Sequence, residues 1–160
     1  MDRGTVTLPT IGVDQEKVGS EILDVEEIGP NRYRLIYSPG LVEGLAAGDE
    51  FELTDENAAG FNVVRRSGNL CAWLIFDEPP DFSAPNIKDL EARVQGMGGH
   101  LDGGTHRSLI FTIPLRAGFK AIEEILDGFV EAVEGTHWFY GNVYDPKEPA
   151  KPLNWWLEQR

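Results

Sequence analysis

Short apolar and polar runs alternate along the first half of the chain, and glycine or proline separates one run from the next. Glu21–Ile28 and Arg32–Ser38 are two such runs, joined by the turn signal Gly29-Pro30-Asn31. Glu50–Thr54 and Gly60–Arg66 follow with the same character. Short strands with glycine turns and almost no helical periodicity are typical of small barrels. This half is therefore predicted to form a small β-barrel.

The hydrophobic period changes in the second half of the chain. It opens with a nearly continuous apolar run, which is expected for a strand covered on both faces. Two later segments space their apolar residues every three or four positions, as amphipathic helices do. The predicted elements are a strand at Leu70–Phe76, a helix capped by Asn86 with Ile87, Leu90, Val94 and Met97 on one face, a hairpin around Gly103-Gly104, a helix over about Arg116–Glu134 and a strand at His137–Tyr144.

The order strand, helix, strand, strand, helix, strand is the signature of a ferredoxin-like βαββαβ sandwich. The fold class predicted for the whole chain is therefore α+β, a small N-terminal β-barrel followed by a ferredoxin-like sandwich. Residues 1–69 would form the barrel-like half and residues 70–145 the ferredoxin-like half. Residues 146–160 would form a proline-rich tail that carries Trp155 and Trp156.

A set of short motifs runs from a tyrosine-bearing strand through a Gly-Asp turn to a Ser-Gly segment, and a helical half then ends in an aromatic strand. The motifs are Asn31–Leu35, Pro39, Gly44–Phe51, Val63-Val64, Ser67-Gly68-Asn69, Trp138 and Tyr140. Over about residues 20–145 this arrangement resembles a bacterial family catalogued as a domain of unknown function (number 4265). The resemblance implies a cytosolic protein of uncharacterised activity and supplies no catalytic residues.

Composition argues against several classes of function. The chain holds 27 acidic and 14 basic side chains, a net charge of −13, so a nucleic-acid partner, which needs clustered Lys and Arg, is not expected. No apolar stretch approaches the roughly 20 residues of a membrane helix, and Met1–Thr5 lacks the pattern of a signal peptide. A cytoplasmic location without a membrane partner is predicted. The single cysteine, Cys71, lies in an apolar run and is predicted to be a buried thiol, and no cofactor is expected.

His100, Asp102 and His106 form the candidate catalytic or metal site. On a strand, His100 and Asp102 point to the same face because the side-chain period is two. A two-residue turn at Gly103-Gly104 would put His106 on the opposite face, whereas a three-residue turn would set it beside Asp102. Two imidazoles and a carboxylate could then hold a divalent metal. The alternative is a solvated hairpin tip.

Two further groups are candidates for contact with a partner. Glu50 and Glu52 alternate with Phe51 and Leu53, so they are predicted to lie on the solvent face of their strand, where they either bind a partner or protect the strand edge. The tail ends in an apolar segment that includes Trp155 and Trp156. These rings either dock on the protein's own surface or anchor a partner, since Trp is favoured at interfaces.

Three hypotheses about function follow. The first is a non-catalytic binding protein, immunity-like or regulatory, whose acidic surface meets a basic protein or a second copy of the chain. The second is a small-molecule sensor of the ferredoxin-like, amino-acid-binding kind. The third is a metal-dependent enzyme that uses His100, Asp102 and His106. The acidic charge and the lack of catalytic motifs favour the first.

Overall fold

An antiparallel sheet of five strands forms the N-terminal half of the computed structural model, which describes residues 2–12 and 16–158. Each strand pairs with its neighbour in the sequence, so the sheet is a meander in the order β1-β2-β3-β4-β5. The first two strands, of 10 and 13 residues, form a long hairpin. The strands are β1 (Asp2–Ile11), β2 (Lys17–Gly29), β3 (Arg32–Leu35), β4 (Glu50–Leu53) and β5 (Phe61–Arg65).

One face of this sheet is apolar and is covered by the chain's own loop. Alternate residues of the strands point to that face, as the period-two pattern requires. The loop between β3 and β4 adds Val42 and Leu45, which are 3% and 0% exposed. The buried cluster comprises Val6, Leu8, Leu23, Val25, Leu35, Val42, Leu45, Phe51 and Phe61.

The predicted β-barrel is wrong. A barrel closes only when its two edge strands pair, and within the described residues β1 and β5 remain the two ends of an open sheet. Pro9 of β1 lies beside Gly60, and proline has no N–H group with which to continue a ladder there. The loop residues Val42 and Leu45 fill the face that a closed barrel would have enclosed. In addition, the hydrophobic pattern of the sequence predicts no strand at Asp2–Ile11, where β1 lies.

A four-stranded antiparallel sheet forms the second half, with the strand order β7-β8-β6-β9. Two α-helices cover one face of this sheet and share a core with it. Leu70, Leu74, Phe111, Ile122 and Leu126 are fully buried in that core. The elements are β6 (Asn69–Phe76), α1 (Pro85–Gly96), β7 (His100–Thr105), β8 (Ser108–Pro114), α2 (Phe119–Ala132) and β9 (Thr136–Tyr140), with single 3-10 turns at Leu115–Ala117 and Trp155–Glu158.

The predicted ferredoxin-like sandwich, and with it the α+β fold class, is also wrong. The described chain is mostly β, with two antiparallel sheets and two α-helices. The second sheet is not a separate sandwich, because the face away from the helices is joined to the loop that follows β3. The thiol of Cys71 and the indole N–H of Trp73 both donate hydrogen bonds to the carbonyl oxygen of Pro39, with donor–acceptor distances of 3.6 and 2.7 Å. The predicted domain boundary at residue 69 stays a prediction.

Two local predictions also need correction. The turn between β7 and β8 lies at His106-Arg107, since Thr105 pairs with Ser108, and Gly103 and Gly104 lie within β7. Helix α1 begins at Pro85 without a side-chain cap, so Asn86 lies inside the helix. In the described part of the chain, no helix is long and apolar enough to cross a membrane.

Candidate functional site

An open groove of about 630 Å³ runs along β9. Its walls combine aromatic rings and carboxylates, and no Lys or Arg is among the residues that line it. We call it the acidic aromatic groove. It is lined by Glu43, Trp73, Glu123, Asp127, Trp138, Phe139, Tyr140, Tyr144 and Pro149.

Strand geometry puts aromatic rings on both sides of β9. Trp138 and Tyr140 point towards α2, and their rings meet edge to face with centroids 4.8 Å apart. The intervening Phe139 points to the other face of the sheet, where it lies opposite Trp73 of β6. Phe139 is 56% exposed and Tyr144 is 47% exposed, so much of this apolar surface is open to solvent.

Helix α2 provides two of the three carboxylates. Glu123 and Asp127 are four residues apart and therefore share one face of the helix. The hydroxyl of Tyr140 donates a hydrogen bond to Glu123 Oε2 at 3.0 Å, and the indole N–H of Trp138 donates to Asp127 Oδ1 at 2.7 Å. Each bond uses one oxygen and orients the carboxylate. The second oxygen of each group stays available to a ligand.

The third carboxylate, Glu43, comes from the loop between β3 and β4. Partial burial raises the pKa of Glu43 above its usual range. Burial, and then the bond to Glu123, raise the pKa of Tyr140, so its hydroxyl stays a donor at neutral pH. Arg66 and Lys147 line a separate cavity that shares Glu43. The groove therefore presents carboxylates and aromatic rings, with no Lys or Arg among its lining residues.

The predicted metal-site residues are only partly brought together. His100 Nε2 lies 2.9 Å from Asp102 Oδ1, as the period of two predicts. His106 occupies the turn at the tip of the hairpin, beyond the end of β7. Among residues 2–12 and 16–158, no three His, Cys, Asp or Glu side chains lie close enough together to hold a metal ion.

Asp102 belongs instead to a buried polar network between the two halves. Its side chain is only 1% exposed, although His100 is 57% exposed. Asp102 Oδ2 accepts bonds from the N–H of Ser38 at 2.7 Å and from the hydroxyl of Thr112 at 2.5 Å. The two hydroxyls are 2.6 Å apart, and Ser38 Oγ accepts the N–H of Ala47. This network fixes the loop after β3 onto β7 and β8.

The two tryptophans of the tail dock on the protein's own surface. Trp155 is 8% exposed and donates its indole N–H to the carbonyl of Asn142 at 2.8 Å. The guanidinium of Arg66 lies 5.5 Å from the centre of its ring. Trp156 is half-buried and packs edge to face against Phe119 and Trp155. Trp155 can therefore reach a partner only if the tail leaves this position.

The acids of β4 differ in their surroundings. Glu50 lies 3.3 Å from Arg65 and 3.6 Å from Arg34, so its charge is already compensated. Glu52 is half-buried and pairs across the sheet with Asn62 of β5. These positions offer less free negative charge than the alternating pattern predicted.

No motif in the sequence indicates the acidic aromatic groove. Trp138 and Tyr140 stand out there only as part of the family resemblance. The spacing of Glu123 and Asp127 on a predicted helix was the available signal for two acids on one face. Their meeting with the aromatic residues depends on how α2 packs on β9.

The fold and the groove define a two-sheet, predominantly β protein with an open groove lined by carboxylates and aromatic rings. The chain belongs to the family described as Domain of unknown function (DUF4265), whose model matches residues 21–138. This confirms the family that the motifs indicated. No curated protein matches the chain significantly. A hypothetical protein from Neisseria gonorrhoeae, known from a crystal structure, is similar in fold, with a TM-score of 0.68, 16% identity and alignment over 88% of this chain and 95% of that chain.

Proposed function

We propose that this protein is a non-catalytic binding protein that recognises a positively charged segment of a partner protein in the acidic aromatic groove. The observation that carries the proposal is the joint lining of one open groove by three carboxylates and five aromatic rings, without a base among them. Lys and Arg side chains suit both kinds of group, because they pair with carboxylates and stack on aromatic faces.

The state of the carboxylates supports a cationic ligand. Glu43 is exposed as a residue, but partial burial of its carboxyl group raises its pKa. An ammonium or guanidinium group that enters the groove would favour the ionised form of Glu43. Hydrogen bonds from Trp138 and Tyr140 hold Asp127 and Glu123 in place before a ligand arrives. Such preorganisation lowers the entropy lost on binding.

The aromatic surface supports a protein segment as the ligand. Aromatic rings are enriched among the anchors of protein interfaces, and a small ion would cover only part of the aromatic surface in this groove. Phe139 and Tyr144 are about half exposed and flank the carboxylates. A chain segment with basic and apolar side chains would cover both kinds of surface.

The test is a positional-scanning library of octapeptides screened for binding to the purified protein. We expect enrichment of Lys and Arg and an affinity that falls as salt rises from about 0.05 M to about 0.5 M, because salt screens exposed charges. Selection that ignores charge would contradict the proposal, and so would binding that ignores salt.

Charge-neutral variants locate the binding surface. Glu123→Gln and Asp127→Asn keep the shape of each side chain and should each weaken the best basic peptide about fivefold, since one exposed ion pair contributes about 1 kcal/mol. The matched control is Glu124→Gln, which makes the same change on the same helix outside the groove lining. An equal effect of all three substitutions would indicate a general charge effect and refute the site.

A further inference from the structure

The strand that carries the groove is an edge strand. In the C-terminal sheet β9 pairs with β6 on one side, and within the described residues no strand pairs with its other side. The rings of Trp138 and Tyr140 lie on one face of β9 and Phe139 on the opposite face. The acidic aromatic groove therefore surrounds a strand edge instead of lying on one face of the sheet.

The hydrogen-bond register shows which backbone groups of β9 point outwards. The N–H of Asp77 donates to the carbonyl of Gly135, and the N–H of Gly141 donates to the carbonyl of Cys71. In an antiparallel ladder, hydrogen-bonded pairs alternate with pairs that are not bonded to each other. Both bonds place Gly135 and Gly141 in hydrogen-bonded pairs with β6. Every second residue between them is also in a hydrogen-bonded pair, so His137 and Phe139 bond to β6.

By the same alternation, Trp138 and Tyr140 lie in the non-bonded pairs. They stand opposite Leu74 and Ala72 of β6. Their N–H and C=O groups point away from the sheet, to the side on which the groove is open. Two donors and two acceptors thus form a row between the aromatic and acidic walls.

We infer that the partner segment binds as an added strand along β9, forming backbone hydrogen bonds with Trp138 and Tyr140. This inference rests on the proposed function and adds the conformation and side-chain order of the ligand. Successive side chains of an added strand point to opposite faces. Those on the α2 face would meet Glu123 and Asp127, and those on the other face would meet Phe139 and Trp73, with Glu43 nearby.

The inferred ligand is therefore an extended segment with basic side chains at alternate positions on the α2 side. The intervening positions would carry apolar or aromatic side chains that cover Phe139 and Trp73. The nature of the exposed edge favours a peptide over a folded basic surface, since only an extended chain can approach the backbone of β9 along its length. Backbone bonds would supply affinity and the two walls would supply selectivity.

The test uses the best-binding basic octapeptide and two analogues that are N-methylated at alternate residues. N-methylation removes backbone donors and keeps every side-chain charge. In one analogue methyl groups replace the hydrogens of the N–H groups that face β9. We expect its affinity to fall at least about tenfold, since the bonds to the two C=O groups of Trp138 and Tyr140 are lost. In the other, the methyl groups face solvent and the affinity should stay within about twofold of the parent.

Amide hydrogen exchange on the protein gives a second readout. Binding of the parent peptide should slow exchange at the N–H groups of Trp138 and Tyr140. The N–H groups of His137 and Phe139, already bonded to β6, should change little. If both analogues bind as tightly as the parent, or if Trp138 and Tyr140 exchange unchanged, strand addition is overturned. The proposed function then still stands if Glu123→Gln weakens binding; if no basic peptide binds at all, both fail.

Discussion

The carboxylate of Glu21 holds the loop that joins the two halves of the molecule. It accepts three backbone hydrogen bonds, from the N–H groups of Gly40 at 2.8 Å and of Leu41 and Val42 at 2.9 Å. The same loop carries Glu43 into the groove and buries Val42 in the N-terminal core. We predict that Glu21→Gln destabilises the protein although it adds and removes no bulk.

The size of the expected stability loss follows from the hydrogen bonds that each oxygen of the Glu21 carboxylate accepts. Oε1 accepts two of the bonds and Oε2 accepts the third. A glutamine can keep the two bonds at its carbonyl oxygen, but its NH₂ group then faces the N–H of Gly40, donor against donor. Bonds to a charged acceptor contribute about 1 kcal/mol more than bonds to a neutral one. With a discount for the partial exposure of Glu21, the expected loss is about 2 kcal/mol.

Urea unfolding followed by circular dichroism measures this loss, with thermal unfolding beside it. For a chain of this size about 2 kcal/mol corresponds to a decrease in Tm of about 6 °C. The matched control is Glu27→Gln on the same strand, whose side chain is exposed. Hydrogen exchange localises the effect, because the amides of Gly40 to Val42 should exchange faster in the variant.

Two outcomes would contradict the role proposed for Glu21. If Glu21→Gln loses no more stability than Glu27→Gln, water replaces the carboxylate at no cost and the loop is held by other contacts. A large loss of stability with unchanged exchange at Gly40 would also contradict it, since the effect would then arise elsewhere. Only a loss of stability together with faster local exchange supports the role of Glu21.

Three further predictions concern single side chains. Glu43→Gln should leave stability at neutral pH unchanged or raise it: burial raises the folded-state pKa of Glu43, so the stability it contributes is present at low pH and is lost as pH rises through that pKa. Peptide binding needs the ionised carboxylate, so the affinity should fall as pH falls through the same range. Because the pKa of Glu43 is raised, Glu43→Gln should remove the part of this loss of affinity that begins at the highest pH. Trp155→Ala should cost about 3–5 kcal/mol in urea unfolding, because it removes a buried ring, whereas Leu157→Ala, at a residue 63% exposed, should cost little. Cys71 should not react with a thiol reagent in the native protein, since burial raises its pKa far above neutrality; reaction before unfolding would contradict its enclosure.

Local periodicity predicted individual elements better than it predicted their assembly. The apolar run Leu70–Phe76 appears as β6, and the apolar positions Ile87, Leu90 and Val94 are the buried face of α1. Burial on both faces of β6 also agrees with its unbroken apolar run, because Cys71 lies under the loop after β3. Such features depend on residues within one element, which a sequence displays directly.

The wrong predictions arose where long-range contacts decide the outcome. Gly103 and Gly104 suggested a turn, but the register of β7 shifts between Leu101 and Gly103, and a side chain at Gly104 would collide with the backbone of Ser108. Gly104 therefore accommodates a close approach of β7 to β8, whereas a side chain at Gly103 would meet no neighbouring atom. The prediction of a closed barrel was wrong for a related reason. Closure depends on whether two distant edge strands pair, and local strand propensity carries no information about that pairing.

The groove lay beyond prediction because net charge does not distinguish engaged acids from available ones. Asp49 is fully buried, and four donors surround it, including Arg66 at 3.2 Å and the N–H of Ser67 at 2.9 Å. Burial nevertheless raises the pKa of Asp49, so this carboxylate is a structural group that its donors stabilise only in part.

Glu21, Glu50 and Asp102 are likewise engaged by the protein's own donors or cations. Glu123 and Asp127 differ in degree, because each accepts one hydrogen bond, from Tyr140 or Trp138, and no Lys or Arg is among the residues that line the groove with them and Glu43. The 27 acidic residues therefore include some that the protein's own groups engage and some that the groove presents to solvent. The proposed binding of a basic segment rests on the second kind. Glu123→Gln and Asp127→Asn, which remove charge at the groove, therefore test the proposed function, whereas Glu21→Gln tests the fold.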